Sequence, residues 1–362
     1  MAKLIFHTTQ LSERGTEVAL YNYAHFNEEL LGNESVILFD ETSPLNNTEV
    51  IRKFEGRFPV VAYRNGEDID RPVAAQGADL LYFIKLDRNN FRLSAVAPTA
   101  VHEVFPVKPS MFHGSAYAFV SDWLSKTFSN GRIPAVPHII TLPEAEGDLR
   151  VELGIPTEAT VFGCYGGREC FDILFAQQVV EEVARERADI HFIFMNIDAF
   201  ARHPRLHFLR GSANMKRKVR FINSSDAMLH ARRRGETFGL AIAEFSIRNK
   251  PVLTWSLSGE RNHIDVLGGR GLFYKGPRGL RRLIAGFDRA AMAASDWDCY
   301  SAAYSPAAVM ARFDKYLIRK ALATGIGDAD WSLTQDDRLA VLGHRARIRA
   351  IKSRRSLSTL LA

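Results

Sequence analysis

Short apolar runs alternate with stretches of helical period along most of the chain. The run "KLIFHTT" (Lys3 to Thr9) is followed by the loop "QLSERGT" and a helical segment from about Glu17 to Leu31. "SVILFD" (Ser35 to Asp40), "PVVAY" (Pro59 to Tyr63), "DLLYFIK" (Asp79 to Lys85), "TAVHEVF" (Thr99 to Phe105) and the first half of "SAYAFVSDWLSKTF" continue as strands. Repeated strand and helix units of this kind predict a parallel sheet with helices on both faces.

The segment "RIPAVPHIITLPEAEG" interrupts the alternation, because Pro134, Pro137 and Pro143 disfavour helix and mark a linker. A second series follows: the strand and glycine loop "ATVFGCYGG", the helix "FAQQVVEEVARER", the strands "IHFIFM" and "RLHFL", and a helix from Ser212 to about Asn223. It continues through "DAMLHA", a helix around Glu244, "PVLTW" and "GLFY". The pattern predicts two doubly wound α/β halves, residues 1–142 and 143–322, with the active site in a cleft at the carboxyl ends of the strands. "YSPAAVMARFDKYLIRKAL" (Tyr304 to Leu322) reads as a helix opened by Ser305-Pro306, and residues 323–362 as an appended basic helical tail. There is no internal repeat of short period and no low-complexity segment.

Length agrees with two halves, since 362 residues exceed the roughly 100 to 200 that one domain usually spans. With 46% apolar and 24% charged residues the chain has ample core-forming material. The net charge of +6 is a small excess of 47 basic over 41 acidic residues, and it matters only where it clusters. The clusters are "MKRKVR" (Met215 to Arg220), Arg232 to Arg234, and "HRARIRAIKSRR" (His344 to Arg355). No zinc, helix-turn-helix or RNA-recognition signature accompanies them, which argues against a nucleic-acid partner. Cys164, Cys170 and Cys299 form no C-x-x-C pair, so neither a disulfide framework nor a metal site is expected. The N-terminus lacks the apolar run of a signal peptide, and no stretch approaches the roughly 20 apolar residues of a membrane span. A cytoplasmic protein is expected on these grounds.

The chemistry concentrates in "ARRRGETFGLAIAEFSIRNKPVLTW" (Ala231 to Trp255), where Glu236 and Glu244 bracket the run from Phe238 to Ala243. The stretch reads as a loop and a helix whose first turn lies near Phe238, Gly239 and Leu240. Unpaired amides at such a turn suit a phosphate or a hydroxylated ring, and Gly239 allows close approach to the backbone. Glu236 before the helix and Glu244 within it can each accept hydrogen bonds from hydroxyls. The bracket fits an elongated polyhydroxy ligand with a phosphate in the middle, the form of a nucleotide sugar.

Glu236-x7-Glu244, in "ETFGLAIAEF" followed by "NKPVLTW", resembles the E-x7-E motif of the family 4 (group 1) retaining glycosyltransferases, which have the GT-B fold of two Rossmann-like domains facing a central cleft. The resemblance is weak in the N-terminal half and clearer from about Ala159 to Phe313. It implies that Glu236 contacts the transferred sugar, that amides at Phe238, Gly239 and Leu240 hold sugar and diphosphate, and that Glu244 binds the ribose hydroxyls. "SERGTEV" resembles the family's first glycine loop, which implies that Gly15 and Thr16 approach diphosphate and acceptor. "TAVHEVF" places His102 where many members carry an active-site histidine. The implied partners are a nucleoside diphosphate sugar and a glycan, lipid-linked or small-molecule acceptor, with no cofactor and no metal required.

One departure bears on mechanism. The family usually carries Gly-Arg and then Lys after the first strand of the second domain, and here the segment is "FGCYGGRECFD", with no lysine. Arg168 is the nearest substitute, with Arg232, Arg233, Arg234 and Lys216 behind it. Losing one such phosphate-binding cation is comparable to losing an oxyanion donor, about 3 to 4 kcal/mol of leaving-group stabilisation. Two readings stay open: a transferase in which Arg168 compensates, and a catalytically silent GT-B protein that binds nucleotide sugar or a partner. A GT-B epimerase or phosphorylase is a related alternative. His230, at the end of "DAMLHA", could face the donor base or the sugar but reads first as a locally satisfied strand-end histidine; "NHIDVLGG" (Asn262 to Gly269) could lie near the nucleotide but reads first as a helix start with Ile264 and Leu267 in the core. The tail's basic residues, interleaved with Ile348, Ile351 and Leu357, are compatible with peripheral contact at an anionic inner membrane surface.

Overall fold

The computed structural model describes residues 1–64, 68–84 and 93–360, without the side chains of 352 and 354–360. The end of the expected strand at Lys85, and in the basic tail the side chains of Lys352, Arg354, Arg355 and Leu357, lie outside the described residues or side chains. The two strand series form two parallel sheets. In the first, β1 (Lys3–Thr8), β2 (Glu34–Asp40), β3 (Val60–Tyr63), β4 (Leu80–Ile84), β5 (Thr99–Glu103) and β6 (Ala116–Phe119) lie in the order β3-β2-β1-β4-β5-β6.

The second sheet contains β7 (Thr160–Tyr165), β8 (Ile190–Met195), β9 (Leu206–Leu209) and β10 (Ala227–His230). A short strand β11 (Gly235–Glu236) precedes β12 (Val252–Trp255), and β13 (Glu260–Arg261) precedes β14 (Leu272–Tyr274). Its order is β14-β12-β10-β7-β8-β9, while β11 and β13 pair separately. Read in chain order, both large sheets have the Rossmann arrangement, in which strand order reverses beside the first strand. Strands β4 and β8 are buried at every position, as expected where helices cover both faces of a parallel sheet.

Helices α1 (Gly15–Glu29), α2 (Thr48–Glu55), α3 (Asp70–Ala75) and α4 (Asp122–Ser129) connect the first sheet. Helices α5 (Leu174–Glu186), α6 (Met215–Ser224), α7 (Leu240–Ser246) and α8 (Asn262–Leu267) belong to the second. Helix α1 begins two residues before its expected start. Helices α2 and α3 were not legible as periodic segments, being only eight and six residues long. Helix α2 is nonetheless well specified, with the Asn47 side chain accepting from the amides of Glu49 and Val50.

Contacts divide the chain into Met1–Ile139 with Ala303–Ala346, and Ile140–Ala302 with Arg347–Ala362. This grouping differs from the 143–322 and 323–362 boundaries read from sequence, because the helix Pro306–Phe313 belongs with the first sheet. Its Phe313 is fully buried, with ring centroids 5.0 Å from Tyr23, 5.1 Å from Tyr82 and 6.3 Å from Phe6. Periodicity shows that this helix has an apolar face and does not show which sheet covers it. The remaining C-terminal helix spans Gln335–Leu360. Among the described residues no helix is long and apolar enough to cross a membrane.

Candidate functional site

In the second unit the reversal of strand order falls between β7 and β10, which are direct neighbours. Connections after these strands depart to opposite faces, so their carboxyl ends leave a crevice, the place where open α/β sheets bind ligands. Strand β7 ends at Tyr165 and β10 at His230, and both side chains contact a glutamate of the E-x7-E stretch.

Glu236 lies six residues beyond His230, on the two-residue strand β11. Arg232 Nη1 donates to both carboxylate oxygens at 2.9 Å, and His230 Nε2 lies 3.3 Å from Oε1. Burial pushes this carboxyl's pKa up. The His230 contact and the charge of Arg232 outweigh that push and hold it at about 2. Glu236 is therefore a carboxylate throughout the physiological range, an acceptor of hydrogen bonds and not an acid. Its side chain keeps 19% of its surface open, enough for a ligand to reach it.

Gly239 follows with φ +97°, a left-handed conformation that side chains rarely adopt. A Cβ there would stand 3.3 Å from Glu236 Cβ and 3.5 Å from His263 Cβ. Phe238 is buried and its carbonyl accepts from Asn262 Nδ2 at 2.9 Å, which ties the turn to α8. Leu240 opens α7, a helix of only seven residues.

Glu244 is on the buried side of α7, with 4% of its side chain exposed. Lys218 Nζ on α6 lies 2.9 and 3.2 Å from its two oxygens, and the Tyr165 hydroxyl donates to Oε2. Burial pushes its pKa up, to about 8. The ammonium at ion-pair distance works in the opposite sense, and we take the charged pair as the state that satisfies both groups. Lys218 also lies 5.4 Å from the centre of the Tyr165 ring.

Arg168 is exposed on the loop after β7 and carries no ion pair among the described residues. Arg232 is committed to Glu236, while Arg233 and Arg234 are exposed, the latter paired with Glu260 at 2.7 Å. Cys170 is half-buried, and burial raises the pKa of its thiol. Among the described residues no three His, Cys, Asp or Glu side chains group as metal ligands would.

The other expected site residues belong to the first unit. Gly15 and Thr16 open α1 beyond the carboxyl end of β1, which neighbours β4 at that sheet's own reversal of order. Thr16 Oγ1 donates to Glu17 Oε1 at 3.0 Å. Glu17 is itself buried, and Ser12 Oγ donates to it at 3.3 Å. His102 is fully buried in β5. Its Nε2 donates to the Val136 carbonyl at 2.7 Å and its Nδ1 accepts from the Tyr82 hydroxyl at 2.8 Å. Burial holds its pKa down at about 4, so the ring is neutral and both nitrogens are spent inside the fold.

Solved structures share this architecture. The Anabaena protein HepE, solved with UDP and glucose, superposes with a TM-score of 0.63 over 87% of this chain and 99% of its own, at 14% identity. AviGT4, a glycosyltransferase involved in avilamycin A biosynthesis, gives 0.57 over 89% and 98%, also at 14% identity. The fold is GT-B. A Listeria monocytogenes structure described as a putative UDP-N-acetylglucosamine 2-epimerase gives 0.56 over 87% and 96%, at 13% identity, so the GT-B architecture alone does not select the reaction. No protein-family model matches the sequence, and no curated protein gives a significant match.

Sequence reading missed two contributors and ranked a third low. Tyr165 and Lys218 reach Glu244 across 79 and 26 residues, distances over which no local pattern operates. Lys216 was the expected cation of "MKRKVR", and it is Lys218, two positions on, that meets the glutamate. His230, read as locally satisfied, touches Glu236. The spacing His230-x5-Glu236 beyond a strand end was the available signal.

Proposed function

We propose that this protein is a retaining glycosyltransferase that moves a sugar from a nucleoside diphosphate sugar to a hydroxyl of a glycan, lipid-linked or small-molecule acceptor. The observation that carries the reading is the pair Glu236, on β11 before α7, and Glu244, within α7, in the crevice beside β7 and β10, each matched with a cation. Glu236 accepts from hydroxyls of the transferred sugar. Glu244 serves the ribose, and Gly239 lets the ligand lie against the backbone. Arg168 is assigned to the leaving diphosphate, where charge develops as the glycosidic bond breaks. The bond to the acceptor forms on the same face, and neither a metal nor a protein nucleophile is assigned a step. The complexes of HepE with UDP and with UDP-glucose support a nucleotide-sugar ligand for this architecture. His102 is left out of the machinery because both of its nitrogens are engaged in the core. The basic stretch His344 to Arg355 would favour an acceptor at an anionic membrane surface.

A second reading, a silent binder of nucleotide sugar, is favoured by one observation: Lys218 and Tyr165 already occupy both oxygens of Glu244. A thermal-shift and product screen with UDP, GDP, ADP and dTDP and their sugar conjugates separates the readings. The transferase is expected to be stabilised by one nucleotide, weakened in Glu244→Gln, and to release free sugar slowly with its anomeric configuration kept. Stabilisation without turnover, even with acceptors present, favours the silent binder, and an inverted sugar hydroxyl favours an epimerase. No response to any nucleotide overturns the assignment of both glutamates.

A further inference from the structure

The two oxygens of Glu236 are not equivalent. Oε1 faces both Arg232 Nη1 at 2.9 Å and His230 Nε2 at 3.3 Å, whereas among the described residues Oε2 faces only Arg232 Nη1, at 2.9 Å. A carboxylate offers about four acceptor positions, two on each oxygen, so Oε1 is filled and Oε2 keeps one open. Behind His230 the chain of contacts continues. Its Nδ1 lies 2.8 Å from Thr254 Oγ1, and Thr254, on the neighbouring strand β12, is fully buried.

In an uncharged ring the roles follow from the partners. The ionised Glu236 can only accept, so Nε2 carries the hydrogen, and Nδ1 then accepts from the Thr254 hydroxyl. The backbone under the ring is also fixed, since the Tyr274 hydroxyl donates to the His230 carbonyl at 2.8 Å. His263 packs edge-on against the ring with centroids 5.0 Å apart, is fully buried, and has no hydrogen-bond partner on either nitrogen among the described residues. A neutral imidazole wedged there blocks rotation of His230 without competing for Glu236. Burial and the adjacent His230 keep the pKa of His263 well below the ordinary histidine range.

We propose that His230, set by Thr254 and wedged by His263, is a positioning residue that turns Glu236 so that Oε2 alone is offered, to a single hydroxyl of the transferred sugar. The inference rests on the sugar-binding role proposed above for Glu236. It adds a selection rule: the site reads one hydroxyl at this carboxylate and does not grip a vicinal pair.

Calorimetric binding of UDP, GDP, ADP and dTDP, each with its glucose conjugate, tests this on wild type, His230→Leu, His230→Gln and Thr254→Val. Wild type is expected to bind one conjugate more tightly than its nucleotide. His230→Leu is expected to lose that preference by about tenfold, the scale of one charge-assisted hydrogen bond, with the bare nucleotide bound as before. His230→Gln, whose amide nitrogen can stand where Nε2 stood, is expected to restore most of it, and Thr254→Val to lose part of it. A general loss of structure would weaken nucleotide and conjugate alike. An unchanged preference in His230→Leu and Thr254→Val, a loss shared equally by nucleotide and conjugate, or no preference in wild type overturns the positioning role alone. Failure of wild type to bind any nucleotide or conjugate overturns the nucleotide-sugar reading, and the positioning role with it.

Discussion

The same residue type does opposite work in the two units. His102 spends both nitrogens inside the first fold, and His230 uses one to steer a partly open glutamate. Removing His102 strands a buried hydroxyl and a carbonyl, so His102→Leu is expected to destabilise the protein by on the order of 3 kcal/mol in urea unfolding. Nucleotide-induced thermal shifts should be unchanged in that variant. Glu17 offers a pH test. Burial raises its pKa from 4.5 to about 7, against the opposing hydroxyls of Thr16 and Ser12 and the charge of Arg14. Because the folded pKa lies above the unfolded one, the native state holds the proton more tightly. The associated stability is full below pH 4.5 and is lost as pH rises through 7. Up to about 3 kcal/mol is involved. Stability curves of wild type and Glu17→Gln between pH 4 and 8.5 should diverge accordingly, with the slope absent from the variant.

At the scale of elements, the alternation of apolar runs was enough to find every strand of both large sheets, because buried parallel strands need continuous apolar residues. It was not enough for β11 and β13, whose two residues each pair only through tertiary contact. Their junction depends on Gly235, with φ +82°, where a Cβ would fall 2.0 Å from the Glu260 carbonyl oxygen. Gly239 has a similar conformation and a softer clash, 3.3 Å from a side-chain carbon. Gly235→Ala is therefore expected to be the more damaging substitution by thermal unfolding. Gly239→Ala should cost about 1 to 2 kcal/mol from the left-handed backbone alone and weaken nucleotide-sugar binding further. The E-x7-E stretch reads as one glutamate before a helix and one within it, and the structure has Glu236 on β11 and Glu244 on α7. Their partners were hidden because a helix turn fixes neighbours three and four residues away and says nothing about which strand end or second helix will face them.

At the scale of the molecule, the chain returns to its first unit after completing its second. Phe313 is the pivot, stacked among Phe6, Tyr23 and Tyr82 although it lies more than two hundred residues from each of them in sequence. Phe313→Ala should cost about 3 to 5 kcal/mol, measured as a lower urea midpoint for the first unit. Truncation before Ala303 should expose that apolar surface and reduce soluble yield.

By itself the sequence determined the α/β class, the two strand series, the position of the linker and the turn-and-helix stretch bracketed by two carboxylates, since each follows from local period and from residue types in short windows. Tertiary structure decided the strand order, the return of the Pro306–Phe313 helix to the first sheet, and the pairing of Glu236 with His230 and Arg232 and of Glu244 with Lys218 and Tyr165. It also decided which oxygen of Glu236 stays open. Most of these features arise where distant segments compete to cover one apolar surface or to satisfy one buried charge, and that competition is resolved only when the whole chain has packed.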